Sequence, residues 1–303
     1  MARVSFGLKT MPAQTSYEDL LTVWREADGI ESIEDAWLWD HLLPLAGPKD
    51  GPIFEGWTLL AALAAQTERL RMGLLVTSNR IRPPAVLAKI AATVDVISQG
   101  RLVVGLGVGG THQPAGAGGI AGDNPALAEY AAYGLELVSP AEGVARLDEA
   151  CTILRRLWTE DRVDFDGKYY HLVENRCAPK PVQKSGPPLL LGGWGQQTLR
   201  VVAEHADSWN IPGPPHNDVG YIAERSRILD EHCHAIGRDP QEITRSVQTH
   251  AFPDDPGRTR RTALELVDAG VTHVVLNLFK PFGPGLARWA ADEIIEPIRA
   301  QLN

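Results

Sequence analysis

GWTLLAALAAQTERLRMGLLVTSNRIRPPAVLAKIAATVDVISQGRLVVGLG, residues 56–107, is the stretch whose reading decides the fold. It opens on an Ala/Leu-rich run, Gly56–Arg69, that reads as a helix. Leu70–Thr77 (LRMGLLVT) follows as a near-continuous apolar run of strand length. Pro83–Ile97 opens with proline, whose missing N–H is no loss in a first helical turn, and Gly100 ends that helix. Arg101–Gly107 (RLVVGLG) is again a strand. Strands that are apolar on both faces belong to parallel sheets covered by helices, so this stretch reads as a βαβ unit.

The same alternation extends in both directions. Upstream, Val4–Lys9 reads as a strand and Ser16 as the N-cap of a helix over Tyr17–Asp28, with Leu20, Leu21 and Trp24 on one face. Asp35–Asp40 (DAWLWD) reads as the second strand. Downstream, a helix over Ala141–Thr159 precedes strand–helix pairs at Pro188–Leu191 with Gln196–His205 and at Asp207–Ile211 with residues 216–236. Two more pairs follow, Ile243–Ala251 with residues 258–269 and Thr272–Leu278 with Gly285–Leu302. Eight βα units predict a single (β/α)8 TIM barrel rather than a doubly wound sheet. Two insertions are expected on it. One is irregular and rich in Gly, Ala and Pro, at about 108–140 after strand four. The other is a hairpin over 162–174 before strand five, signalled by Asp166-Gly167 between two alternating runs.

The chain has 303 residues, which at ~150 per domain suggests about two domains, yet barrels of ~250 residues fold as one. No Gly/Ser- or Pro-rich linker divides it, so 1–303 reads as one domain. With 44% hydrophobic and 22% charged residues, disordered, collagenous and disulfide-scaffold classes are excluded. The net charge of −9, without a basic run, argues against nucleic-acid and anionic-membrane partners. Cys151, Cys177 and Cys233 are odd in number and far apart, which fits a reducing compartment. The apolar run at the start is too short for a signal segment, and Trp57–Ala65 is about half a membrane span. A soluble, cytoplasmic protein is expected.

Barrel chemistry sits at the carboxyl ends of strands. The positions to inspect are Asp40-His41, Val76–Asn79, Gly107–Gln113, Gly192–Gln196, Asn210, His250 and Asn277. A histidine at a strand end, as at His41, can donate a proton or bind a polar ligand edge, and can equally be held by structural hydrogen bonds. Gly105, Gly107 and Gly110 fit GxGxxG, but they follow the fourth strand and no helix opens behind them, against a dinucleotide fingerprint. A glycine-lined strand end that a flat ligand approaches is the better reading. Gly192-Gly193-Trp194-Gly195 lies between strand five and a helix, where free amides suit a phosphate, although a tight βα turn needs the same glycines. His232-Cys233-His234 on a helix point ~100° apart and cannot share one ion, so no metal site is expected. GxSxG, HExxH and CxxC patterns are absent.

Several stretches together resemble the bacterial luciferase-like superfamily, and within it the coenzyme F420-dependent oxidoreductases. They are AWLWDHLLP (36–44), residues 55–109, EYAAYG (129–134), RLDEACTILRRLW (146–158) and PPLLLGGWGQQTLRVVAEHADSWN (187–210). The resemblance implies a barrel that holds a deazaflavin at its strand ends. It implies a non-prolyl cis peptide backing the ring, carried over to Leu74–Leu75, with Val76 and Thr77 beside it. Asp40 and His41 would stand near the reactive edge, and Gly110 and Gln113 at the cofactor. Gly192, Gly193, Trp194, Gly195 and Gln196 would form the phosphate loop. Some sugar-phosphate-oxidising relatives have Glu where Gly110 stands, which leaves His41 as the acid. The segment 111–128 departs from the group's pattern and reads as a lid. A homodimer is implied, with the Ala/Leu-rich 56–65 segment readable equally as a surface for it or as core. The expected activity is F420-dependent hydride transfer to a small organic substrate, as reduction of C=C or C=N. The alternatives are an FMN-dependent monooxygenase and a non-catalytic flavin or F420 carrier.

Overall fold

The computed structural model describes residues 3–45, 47–48, 50–112, 125–213 and 217–302. In chain order the first half contains β1 (Ser5–Lys9), α1 (Tyr17–Asp28), β2 (Asp35–Leu38), α2 (Gly56–Ala64), β3 (Arg71–Leu74), β4 (Thr77–Ser78), α3 (Pro84–Ile97) and β5 (Val104–Gly107). Then come α4 (Pro125–Ala132), α5 (Pro140–Thr159), β6 (Val163–Asp166), β7 (His171–Asn175), β8 (Leu189–Gly192), α6 (Gln196–His205) and β9 (Ser208–Ile211). The chain closes with α7 (Val219–Ala235), β10 (Thr244–His250), α8 (Pro256–Asp268), β11 (His273–Asn277), α9 (Leu286–Ala290), a π-turn at Ala291–Ile295 and α10 (Glu296–Leu302).

The main sheet runs β3-β2-β1-β11-β10-β9-β8-β5-β4, and its strand pairs are parallel. β3 and β4 are two halves of the third barrel strand. The first half pairs with β2 and the second with β5. Closure comes from Met72, whose N–H donates to Arg101 O at 3.1 Å and whose carbonyl accepts from Val103 N at 2.8 Å. The fold is thus a (β/α)8 barrel. The break carries a cis peptide at Leu75–Val76, one bond later than the Leu74–Leu75 expected from the resemblance.

Helix ends follow local chemistry. Ser16 caps α1 as expected, its Oγ accepting from Asp19 N at 3.1 Å. The helix expected over Gly56–Arg69 stops at Ala64. The Arg101 guanidinium takes the carbonyls of Ala64, Thr67 and Leu70 at 2.8–2.9 Å, so an arginine on the next turn of the barrel satisfies that helix end. The hairpin before strand five is β6–β7, antiparallel with Phe165 opposite Leu172. Within the stretch read as irregular, 125–132 are helical, because Glu129 and Tyr130 anchor that turn to the strand ends.

Outward-facing residues such as Phe6, Leu8, Leu38 and Leu74 pack under the helices. The barrel interior is different from the bulky aliphatic filling common in this architecture. Trp37, Leu75, Val103, Leu190 and Val275 make a small apolar plug. Gly7 and Gly73 make room for it, since a Cβ on Gly73 would lie 2.7 Å from the Trp37 ring. Around the plug the interior is polar, with buried Asp35, His273, Ser246, Asn210 and Gln248.

Candidate active site at the carboxyl ends of the strands

Asp40 and His41 follow β2, and the structure gives them different work. Asp40 is fully buried and grips Arg82 through two bonds, 2.7 and 3.0 Å. It also accepts from Ser78 N at 3.3 Å. Arg82 in turn contacts Glu55, which caps α2 by accepting from Trp57 N and Thr58 N. Burial pushes the Asp40 carboxyl up, and the Arg82 guanidinium opposes it. Asp40, expected near the reactive edge, thus braces β2, β4 and α2 through Ser78 and Arg82.

His41 remains about one third exposed, at 31%. Its Nδ1 lies 3.2 Å from Glu129 Oε2. Glu129, on α4, is buried and also accepts from the amides of Leu42 and Leu43. Burial alone would raise its carboxyl, but the His41 ring and the two amides outweigh it and hold the pKa below the usual value. With Nδ1–H donated to a carboxylate, Nε2 is the ring nitrogen left to face a reactant. Tyr130 completes the anchor, its hydroxyl 2.6 Å from Ser78 Oγ and accepting from Gly110 N at 2.7 Å. Gly110 is thus packed against the Tyr130 ring, and a Cβ there would meet it at 2.7 Å. Glu129 and Tyr130 went unassigned from sequence, although EYAAYG (129–134) contained them.

The glycine-lined strand end is filled in an unexpected way. Val76 projects between β5 and β8, where a Cβ on Gly107 would lie 2.8 Å from Val76 Cγ2 and one on Gly192 3.0 Å from Cγ1. These glycines leave room for Val76, which is half-buried and packs on the interior plug. Leu75 packs into the interior plug, whereas Leu74 faces the helix layer, so it is not at the mouth as expected. Thr77 is buried and accepts from Trp57 Nε1 at 3.1 Å. Gln113 lies outside the described residues, as does most of the expected lid.

Gly193 adopts φ +142°, which a side chain resists, and a Cβ there would lie 2.7 Å from Thr198 Cγ2. Its carbonyl accepts from Trp209 Nε1 at 2.6 Å. Gly195 is the N-cap of α6 and offers no side-chain cap, so the amides of the first turn stay open to a ligand. Trp194 is half-buried, and Gln196 is exposed at the start of α6. The turn fits an anionic group.

Among the described residues, four side-chain atoms at the mouth are buried without a partner: Trp39 Nε1, Asn79 Oδ1, His250 Nδ1 and Asn277 Oδ1. Natural proteins seldom leave such atoms unmet, so their clustering at one end of the barrel marks ligand space. The three cysteines are buried and free. Asp148, Glu204 and His205 meet on α5 and α6, where Arg200 already pairs with both carboxylates.

Residues 4–293 match the model of the luciferase-like monooxygenase family. The chain belongs to this family. A relative, the phthiodiolone/phenolphthiodiolone dimycocerosates ketoreductase of Mycobacterium tuberculosis (strain H37Rv), is 28% identical over 317 residues, 97% of this chain and 72% of that protein. The chain spans about half, 53%, of the ketoreductase of the same name from Mycobacterium sp. (strain JLS), at 29% identity over 73% of this chain. Among solved structures, an F420-dependent secondary alcohol dehydrogenase in complex with an F420-acetone adduct superimposes with TM-score 0.81 at 16% identity, covering 98% of this chain and 99% of that one. The coenzyme F420-dependent tetrahydromethanopterin reductase of Methanopyrus kandleri gives 0.76 at 18%, covering 98% and 100%. A long-chain alkane monooxygenase gives 0.75 at 12%, covering 99% and 92%. These structures bear out the luciferase-like barrel. No helix among the described residues is long and apolar enough to cross a membrane.

Proposed function

We propose that this luciferase-like protein is an F420-dependent oxidoreductase that moves a hydride between the deazaflavin and a small organic molecule. The observation that carries this reading is His41, aimed by Glu129 and standing three residues beyond β2, at the same end of the barrel as Val76. Val76, framed by Gly107 and Gly192, would back the cofactor ring. Gly193, Gly195 and the first amides of α6 would hold its anionic tail. When bound, the deazaflavin supplies the hydride chemistry.

The chain's own part is orientation and proton handling. Glu129 orients the His41 ring through Nδ1, so Nε2 can give a proton to the atom that develops negative charge and recover it in the reverse direction. Asp40 and Arg82 hold the turn that presents His41. Acceptors of the C=C and C=N type fit one hydride plus one proton. The names of the ketoreductase and the alcohol dehydrogenase make ketones and secondary alcohols the first substrates to try.

Titration with F420 and with FMN tests the reading. Expected are F420 binding and loss of its oxidised absorbance on adding a donor substrate, with His41→Ala slowing that loss about 10²–10⁴-fold. Tight FMN binding without F420 affinity overturns it, and hydroxylation of a substrate by reduced FMN and oxygen would establish a monooxygenase instead.

A further inference from the structure

Lys9 is a half-buried cation without a counter-ion among the described residues. It ends β1, and its Nζ donates to Gln248 Oε1 at 2.6 Å and stands 5.7 Å from the centroid of the Trp39 ring. Among the described residues no carboxylate lies within ion-pair distance of it, whereas Arg82 has two. The Gln248 oxygen is not free to turn away. Its amide nitrogen donates to Asn210 Oδ1 at 2.8 Å, and the Asn210 nitrogen donates to Ser246 Oγ at 2.8 Å. Ser246 meets His273 Nδ1 at 2.9 Å, and His273 Nε2 meets Asp35 at 3.0 Å. This chain runs through the barrel from its lower end and offers Lys9 a fixed dipole in place of a charge. Burial lowers the Lys9 pKa to about 8, so at neutral pH it still carries its proton.

The space that Lys9 faces is lined for a particular ligand. Lys9 pairs in register with Asn277, and Asn277 with His250, which sets the three side chains at one level on adjacent strands. His250 feels the Lys9 charge, which joins burial in lowering its pKa. Its Nδ1 and the Trp39 Nε1 are buried and unpartnered among the described residues. Beyond them, His250 packs on Phe252 and Phe279 at 5.7 and 5.2 Å between centroids, and the two phenylalanines stack at 5.9 Å. One cation, two unmet ring nitrogens and an aromatic wall balance a monoanion with a planar, apolar body. A phosphate dianion would call for more cations.

We propose that Lys9 is the counter-ion of an organic carboxylate, held with the help of Trp39 and His250 and with its apolar part against Phe252 and Phe279. The proposal rests on reading the barrel mouth as the hydride-transfer site and names the class of molecule it takes.

The probe is benzoate, with neutral benzamide as the control, followed by calorimetry on the full chain. Benzoate should bind at least tenfold more tightly than benzamide, and Lys9→Met should abolish that preference while F420 affinity stays within a few-fold. The other groups near Lys9 are His250, whose pKa is held below the usual histidine value by burial and by the Lys9 charge, and Arg258 behind Phe252. Gln248, Asn277 and Trp39 do not titrate. Benzoate affinity of the wild-type chain should therefore fall about tenfold from pH 7 to pH 9 as Lys9 loses its proton. Equal binding of benzamide, or a Lys9→Met affinity within twofold of wild type, overturns the proposal. Should Lys9→Met not fold, a flat wild-type pH profile overturns it alone. Lys9-dependent benzoate binding in a chain that ignores F420 would leave this subsite standing and remove the cofactor reading.

Discussion

Glu129 lies 88 positions from His41 in sequence, yet it decides what that histidine can do. Substituting Glu129→Gln keeps the hydrogen-bond acceptor and removes the charge, so turnover should fall about 10–100-fold, as for other lost orienting carboxylates. A stability signature accompanies it. The folded Glu129 pKa lies below its ordinary value of 4.5, so its contribution is present above that pH and is lost as pH falls through the folded value. The difference in Tm between wild type and Glu129→Gln should be clear at pH 7 and close on approaching pH 3. A difference that persists unchanged in acid would show that the charge is not what anchors α4. His41 was legible from sequence because a strand end is a readable place. Glu129 was not, because a carboxylate inside a Gly/Ala-rich insertion has no periodic signature. The ion pair of Asp40 was not legible, since its partner Arg82 lies in the loop before α3 and only folding brings them together.

At the scale of elements, the third strand is where sequence and structure part most. LRMGLLVT reads as one apolar strand, and hydropathy carries no mark of the break between β3 and β4. Glycines at Gly107 and Gly192 were visible, but they read as room for a ligand rather than room for Val76. Gly107→Ala should cost about 1–3 kcal/mol through overpacking, and Val76→Ala in the same chain should recover most of it. Additive losses in that double-mutant cycle, measured by denaturant unfolding, would contradict the contact. Cofactor affinity should drop with Gly107→Ala, because Val76 is displaced toward the ring face. The α6 turn was legible in both its glycines and its open amides, since an uncapped helix start after a strand is written directly in GGWGQQ (192–197).

The eight-fold alternation made the whole barrel readable, and the main departures lie where side chains act over long sequence distances. Arg101 ending α2 and the polar chain from Asp35 to Lys9 are both of this kind. The net charge of −9 says nothing about the mouth, where Lys9 stands with no carboxylate partner among the described residues on a chain that is acidic overall. The hand-over of the third strand from β2 to β5 has one more result. Around most of the wall each strand is laced to both neighbours, but here the lacing passes through Met72 and then resumes at Thr77 and Ser78. The cylinder therefore has a seam, and the proposed cofactor lies along it. Amides of Val103 and Asn79, which bridge the seam, should exchange with deuterium sooner than those of β10 and β11, and a bound cofactor should slow them toward the rest. Equal protection in the empty protein would mean that the wall is uniformly tight. If the seam is real, the ligand is the last stave of the barrel.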